Sequence, residues 1–134
     1  MTILNKKEMT EEDIKLNYIT PALLTSGWKD KITMETKVKF TDGKINLRGN
    51  IVSREAPKKA DYVLYINANN PIAIVEAKDN KHSVSHGLQQ AMEYATMMKI
   101  PFAYSSNGDA FMEHDFLTGK ERQIDLDKFP SPED

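Results

Sequence analysis

The chain has 134 residues, 40% of them hydrophobic and 28% charged, which fits one ordinary globular domain, and it has no cysteine for a disulfide or a thiolate metal site. No apolar run approaches the ~20 residues of a membrane span and the N-terminus lacks a signal-peptide pattern, so we expect a cytoplasmic protein without membrane contact. The formal net charge of −2 argues against a domain that grips nucleic acid by charge alone, because such binding depends on contacts between basic side chains and phosphates.

The N-terminal part of the chain predicts a helix. Thr10 is a typical N-cap, and the acids at positions 11–13 suit the positive end of the helix dipole. Pro21 predicts a kink or a new helical start, and Gly27 predicts the helix end.

A half-buried strand is predicted next, because residues 33–40 alternate between polar and apolar types. Its inward-facing side chains would be Met34, Val38 and Phe40. Asp42-Gly43 predicts a hairpin turn, and residues 49–57 predict a loop.

The remainder of the chain predicts an α/β core. A helix is expected over residues 85–99, and residues 130–134 break regular structure as a linker would. The predicted strands are residues 61–66, 72–78, 101–106, 110–114 and 120–124, the last at a sheet edge.

Two of these strands carry a candidate catalytic site. Side chains alternate between the faces of a strand, so Glu76 and Lys78 project to one side, with Ala77 opposite. Placing an acid and a base at the end of a buried strand costs desolvation free energy, which favours a functional reason for the pair. With Asp61 on the preceding strand, the pattern is typical of a phosphodiesterase site. The alternative is an ion pair on a sheet edge, with Asp61 as a turn acid.

The chemistry explains these residue types. Magnesium is usually held by one or two carboxylates and keeps several waters. Asp61 and Glu76 would be its ligands, with the Ala77 backbone carbonyl as a third, and Lys78 would orient the attacking water or stabilise the transition-state charge. In the predicted helix, Gln90 and Tyr94 are four residues apart and share a face, with His86 one turn earlier.

These motifs resemble the PD-(D/E)xK nuclease superfamily, in the branch whose helix carries Gln-x-x-x-Tyr. Within it, the sequence from Glu11 to the last residue resembles the N-terminal nuclease domain of the restriction (R) subunit of type I restriction–modification enzymes. The residues that carry this narrower resemblance are Glu11, Tyr18-Ile19-Thr20-Pro21-Ala22-Leu23, Gly27-Trp28, Lys59-Ala60-Asp61-Tyr62-Val63-Leu64-Tyr65, Gly87-Leu88-Gln89-Gln90-Ala91, Tyr94-Ala95, Ser105-Ser106-Asn107-Gly108 and Phe129-Pro130-Ser131-Pro132-Glu133.

The resemblance implies a restriction-endonuclease-like core, with a mixed central sheet flanked by helices in the order αβββαβ. It implies a magnesium-dependent endonuclease of duplex DNA over residues 1–129, followed by the start of a linker at 130–134 to an ATP-driven helicase-like motor. ATP would serve only that motor, because no Gly-x-x-x-x-Gly-Lys-Ser/Thr phosphate loop occurs here. The implied partners are double-stranded DNA, the modification and specificity subunits, and the motor itself.

The resemblance also assigns supporting roles. Gln90 and Tyr94 would support the site and approach the DNA, and Glu11 would match an acid that reaches the metal through water. Glu12 leaves that alignment open by one position. Ala60 departs from the proline of the superfamily name, a position that shapes only the backbone.

Other assignments stay open at the level of sequence. The chain could be another nuclease of the superfamily, acting in repair or recombination, or a binding module that keeps the fold without the chemistry. The lysines at 58, 59, 78 and 81 are expected near the rim of the site. His82, His86 and His114 lack a metal-ligand spacing, and Ser105 lacks the Gly-x-Ser-x-Gly context of a hydrolytic serine.

Overall fold

The computed structural model describes residues 5–38 and 58–134. The predicted Asp42-Gly43 turn, the predicted loop at 49–57 and the predicted inward position of Phe40 lie outside these residues. Among the described residues, no helix combines the length and the apolar character needed to cross a membrane.

In the described part of the chain, six strands form one mixed sheet in sequential order. Strands β3 and β4 run parallel and are connected through a helix, whereas every other neighbouring pair is antiparallel. The strands are β1 (Ile32–Lys37), β2 (Lys59–Asn67), β3 (Asn70–Ala77), β4 (Phe102–Ser106), β5 (Ala110–Asp115) and β6 (Lys120–Asp125).

An N-terminal helix precedes the sheet, after a short 3₁₀ turn at Lys6–Glu8. Thr10 caps it as predicted, in a capping box with Asp13. The helix alternates between α-helical turns (Glu11–Ile14 and Thr20–Leu23) and wider π-helical turns (Lys15–Ile19 and Leu24–Trp28). Gly27 leaves helical geometry with φ of 107°, as expected for a glycine near a helix end.

The second helix, Leu88–Met98, begins three residues later than predicted. Residues 84–87 form turns instead, and Gly87 takes the N-cap position without a side-chain cap. The helix ends at Lys99, whose left-handed backbone accounts for the sharp return toward β4.

The two helices cover opposite faces of the sheet, each over its own apolar cluster. The face under the N-terminal helix includes Ile14, Ile19, Leu23, Trp28, Tyr62, Leu64, Val75, Phe111 and Phe129. The face under the second helix includes Val63, Ile74, Leu88, Ala91, Tyr94, Ala95 and Ala103. The predicted α/β fold and the order αβββαβ are therefore confirmed, with β5 and β6 added after that core.

One prediction about the first strand is wrong. Met34 does not face the core but is 48% exposed, because β1 is an edge strand with little packed over it. Val38 does pack against the second apolar cluster. At the other end of the chain, residues 130–134 have no regular strand or helix, yet the indole N–H of Trp28 donates to the Pro130 carbonyl at 2.8 Å.

Candidate active site

The candidate site lies where β2 and β3 separate. Their ladder has its outermost pair at Tyr62 and Val75, and the next residues are Asp61 and Glu76. There the side chains take over the backbone hydrogen bonds. The Asp61 N–H donates to Glu76 Oε2 at 2.9 Å, and the Ala77 N–H donates to Asp61 Oδ2 at 2.8 Å. Each carboxylate is thus held by a backbone N–H of the neighbouring strand, and the two acids lie side by side.

The environment of Glu76 is unfavourable for a negative charge. Its side chain is buried, with only 4% of the residue exposed. Burial first, and then repulsion from Asp61, raises the pKa of Glu76 to about 8 from an ordinary value of 4.5. The Asp61 N–H and the charge of Lys78 oppose that rise without cancelling it. A cluster of acids in this condition favours a cation.

Lys78 follows directly after β3, and its N–H donates to the Ser106 carbonyl of β4 at 2.9 Å. Glu76 and Lys78 face the same point, as their spacing predicts. A methyl group at Gly87 would lie 3.5 Å from Glu76 Cβ, 3.4 Å from Lys78 Cγ and 3.1 Å from Ser105 Oγ. The distances to the acid and the lysine are ordinary van der Waals contacts, and only the distance to Ser105 Oγ is tight, so the helix start packs directly against these three residues.

Gln90 and Tyr94 lie beside Lys78 on the wall of an open cavity of about 350 Å³. The Gln90 side-chain amide donates to the Tyr94 hydroxyl at 2.6 Å, so the pair is fixed before any ligand arrives. The cavity is lined by Lys58, Lys78, His86, Gly87, Gln89, Gln90, Glu93 and Tyr94. His86, although outside the helix, therefore shares this surface as the sequence spacing suggested. The size of the cavity and the hydrogen-bond donors that line it suit a phosphate group.

The N-terminal helix contributes three charged residues to the site. Burial and the charge of Asp61 raise the pKa of Glu11, whose carboxylate shares the electrostatic environment of Asp61 and Lys78. Glu12 instead pairs with Lys15 at 3.1 Å and is 77% exposed. Lys15 also reaches Asp61 Oδ1 at 3.2 Å. Of the two neighbouring acids, Glu11 is the one whose surroundings are those of the site.

The comparisons with known proteins agree on one family. The family model for the Type I restriction enzyme R protein N terminus (HSDR_N) matches residues 32–130. The chain belongs to this family.

Two relatives agree with that membership. The chain is 41% identical over 136 aligned residues to the Type I restriction enzyme EcoAI endonuclease subunit of Escherichia coli, covering 98% of this chain and 17% of that protein. A solved fragment described as an HsdR subunit of a type I restriction enzyme from Vibrio vulnificus YJ016 is 40% identical, with a TM-score of 0.77, over 93% of this chain and 24% of that one. The chain therefore spans less than a quarter of either relative's length.

The matched region of this R-protein N terminus contains most of the predicted site. Asp61, Glu76, Lys78, Gln90 and Tyr94 lie within residues 32–130, whereas Glu11 lies outside them. The structure brings Asp61, Glu76 and Lys78 together. Gln90 and Tyr94 lie on the cavity wall beside Lys78, and Glu11 lies within electrostatic range of Asp61, but the roles of all six in metal binding and catalysis stay predictions.

The donor set fits magnesium rather than a transition metal. Within residues 5–38 and 58–134, no three His, Asp or Glu side chains are grouped closely enough to hold a metal by themselves. Magnesium does not require this, since it binds one or two carboxylates and keeps water in its remaining positions. Asp61 and Glu76 supply hard carboxylate oxygens and are held together by the hydrogen bonds between β2 and β3. Burial and the neighbouring Asp61 raise the pKa of Glu76, so a cation at this position would stabilise its charged form.

Sequence reasoning missed two side chains that support the site. Lys15, buried and in contact with Asp61, carries no sequence signal, because a lysine next to Ile14 in an amphipathic helix is expected at the solvent boundary. Ser105 is not an exposed nucleophile but is fully buried opposite Glu76 in the sheet. Its hydroxyl accepts the Gly87 N–H and donates to the Val84 carbonyl, at 3.0 and 2.7 Å.

Proposed function

We propose that this chain is a magnesium-dependent endonuclease domain that hydrolyses phosphodiester bonds of duplex DNA within the R subunit of a type I restriction–modification complex. The observation that carries the proposal is the pairing of the buried Glu76 with the half-buried Asp61, beside Lys78. Family membership and the similarity to the EcoAI endonuclease subunit support the nuclease assignment. A binding module would gain nothing from the cost of burying Glu76 beside a second acid.

In this proposal the acids of β2 and β3 hold the metal. Asp61 and Glu76, with the Ala77 carbonyl, would bind Mg²⁺, which neutralises charge on the scissile phosphate and activates water. The hydrogen bonds across the gap between β2 and β3 fix both carboxylates before the metal binds, which lowers the cost of assembling the site. Glu11 would hold a water in the outer coordination sphere.

Lys78 and the second helix would handle the DNA. Lys78 projects from the same side as Glu76 and would orient the water or stabilise charge on the phosphate in the transition state. Gln90 and Tyr94, bonded to each other, would hold the DNA backbone in the cavity. The net charge of −2 fits a nuclease to which DNA is delivered rather than one that captures it.

The remaining assignments concern the larger protein. Residues 1–129 would form the nuclease domain, and residues 130–134 would begin a linker to an ATP-driven motor, since both relatives are several times longer than this chain. Modification and specificity subunits would choose the DNA sequence, so ATP and sequence recognition would belong to other parts of the complex.

The test uses the full-length subunit assembled with its partner subunits. We expect Lys78→Ala and Glu76→Ala to abolish DNA cleavage while ATP hydrolysis continues, because only the nuclease chemistry is removed. Lys120→Ala, which removes an exposed lysine on the far edge strand β6, is the matched control and should cleave as the wild type does. Cleavage at the normal rate by Lys78→Ala would refute the catalytic assignment.

A further inference from the structure

Lys15 is a lysine in an unusual position. It is 2% exposed and lies in the first π-helical turn of the N-terminal helix. Its ammonium contacts three carboxylates, Glu35 at 2.9 Å, Glu12 at 3.1 Å and Asp61 at 3.2 Å. Three carboxylates surround this one buried ammonium, which is the arrangement that compensates a buried positive charge.

The backbone of β1 is distorted to supply one of these carboxylates. Glu35 has φ of 54°, in the left-handed region that residues with a side chain rarely adopt. It falls between the ladder pairs Met34–Tyr62 and Thr36–Ala60, opposite Asp61 in the register. Strained backbone persists where the surrounding structure requires it. The strained residue thus presents a second carboxylate to the ammonium that also contacts Asp61 Oδ1.

Lys15 contacts the Asp61 oxygen that a divalent metal ion would also need. Asp61 Oδ2 is taken by the Ala77 N–H, and Oδ1 is the atom that Lys15 contacts. A divalent ion that binds Asp61 Oδ1 would meet the positive charge of Lys15 and would share the oxygen that Lys15 contacts. Glu76 has no such lysine contact at hydrogen-bonding distance in the described residues.

We propose that Lys15 is an internal counter-ion of Asp61 that competes with the divalent metal for this carboxylate. The inference rests on the proposed metal site. Without metal, Lys15 holds the acidic cluster together. With metal, it shares its charge with Glu12 and Glu35, which remain as its partners. Lys15 thus lowers the affinity for the metal and raises the stability of the metal-free domain.

The direct test is Mn²⁺ binding to the 134-residue chain by titration calorimetry. We expect Lys15→Met, which keeps the volume and removes the charge, to bind Mn²⁺ about tenfold more tightly, equivalent to about 1.4 kcal/mol. Lys15→Arg retains the charge and should bind no tighter than the wild type. Lys31→Met is the matched control, because Lys31 contacts the Ile66 carbonyl at the opposite end of β2.

Thermal unfolding supplies a readout of the second half of the proposal. In EDTA, Lys15→Met should melt below the wild type, since Asp61 loses its counter-ion. Saturating Mn²⁺ should remove most of that difference, because the metal replaces the missing charge and binding stabilises the folded state. A side chain with a purely structural role would lower the melting temperature equally in both conditions.

A milder variant guards against loss of folding in Lys15→Met. Glu35→Gln changes a side chain that is 53% exposed and removes one competitor for Lys15, so Lys15 should hold Asp61 more firmly and Mn²⁺ should bind several-fold more weakly. Glu121→Gln, with 48% side-chain exposure on the far edge strand, controls for the loss of one negative charge.

These experiments distinguish failure of the Lys15 competition from failure of the proposed metal site. If the wild type binds Mn²⁺ and Lys15→Met binds it no tighter than Lys31→Met does, the competition is refuted and the metal site stands. Mn²⁺ binding by Glu35→Gln at or above the strength of Glu121→Gln also refutes the competition. If the wild type itself does not bind Mn²⁺, the proposed function fails first.

Discussion

Replacing Glu76 by glutamine should stabilise the metal-free protein at pH 8. Glutamine has the shape of protonated glutamate, and its side-chain oxygen can still accept the Asp61 N–H that now lies 2.9 Å from Glu76 Oε2. What it removes is a buried negative charge next to Asp61. If Glu76 has the proposed catalytic role, it is a site where function lowers stability.

The pKa of Glu76 sets the size of the effect. Because the folded-state pKa of about 8 exceeds the ordinary 4.5, the folded protein keeps a proton that the unfolded chain loses, and stability falls as pH rises between these values. At about 1.4 kcal/mol per pKa unit, the upper limit at pH 8 is about 4 kcal/mol. Slight separation of the carboxylates relieves part of the repulsion, so we expect a gain of about 2 kcal/mol from the substitution.

The assay is urea unfolding in EDTA at pH 5 and pH 8. The gain of Glu76→Gln over the wild type should be present at pH 8 and small at pH 5, where the folded wild type is already protonated at this position. The matched control is Glu113→Gln, another buried glutamate. Glu113 accepts from Arg122 Nε at 2.8 Å and from the Tyr104 hydroxyl at 2.6 Å, so its loss should destabilise the protein at both pH values.

The reasoning fails if Glu76→Gln is no more stable than the wild type at pH 8 in EDTA. It also fails if the gain is the same at pH 5, because the effect would then not arise from ionisation of Glu76. A stabilising Glu113→Gln would show that burial alone, without regard to partners, determines the sign.

Three further substitutions test how the second helix is held against the site. Ser105→Ala removes both hydrogen bonds to the Val84–Gly87 turn and should cost about 1–3 kcal/mol of unfolding free energy, measured by urea unfolding. Gly87→Ala places a methyl group 3.1 Å from Ser105 Oγ, and should cost about 1–3 kcal/mol and reduce cleavage by shifting the start of the helix that carries Gln90 and Tyr94. Tyr94→Phe removes the acceptor of the Gln90 amide, and should lower the cleavage rate while changing stability by about 1 kcal/mol or less.

Each of these has an outcome that would contradict it. Wild-type stability in Ser105→Ala would show that its two hydrogen bonds are replaced by water. Gly87→Ala cleaving DNA at the normal rate would mean that cleavage does not depend on the close packing of the helix start against Ser105. Normal cleavage by Tyr94→Phe would show that the hydrogen bond between Gln90 and Tyr94 has only a structural role.

Regular patterns in the sequence predicted the individual strands, and the family resemblance supplied the mixed sheet and the order αβββαβ. The predicted strands at residues 61–66 and 72–78 lie in β2 and β3. Both faces of these strands are covered, and most of the side chains in the two segments are buried. The edge strand β1 was predicted less well, because an exposed edge leaves Met34 outside the core although its apolar character suggested otherwise. The second helix was predicted too long, since nothing local marks the turns before Leu88.

The candidate site was predictable where its residues are adjacent in sequence or match a family motif. Glu76, Lys78, Gln90 and Tyr94 meet these conditions, and the structure places them side by side. Lys15 could not be found this way. Its partner Asp61 is 46 residues away, so its burial depends on how the N-terminal helix crosses the sheet and not on any local pattern.

The most direct test of the central claim is anomalous diffraction from crystals of this chain soaked in Mn²⁺. The account predicts a peak within about 2.1 Å of carboxylate oxygens of both Asp61 and Glu76, with the Ala77 carbonyl on the same ion. A saturating soak that leaves no peak there, with both side chains well ordered, would contradict the assignment of these acids as the metal site.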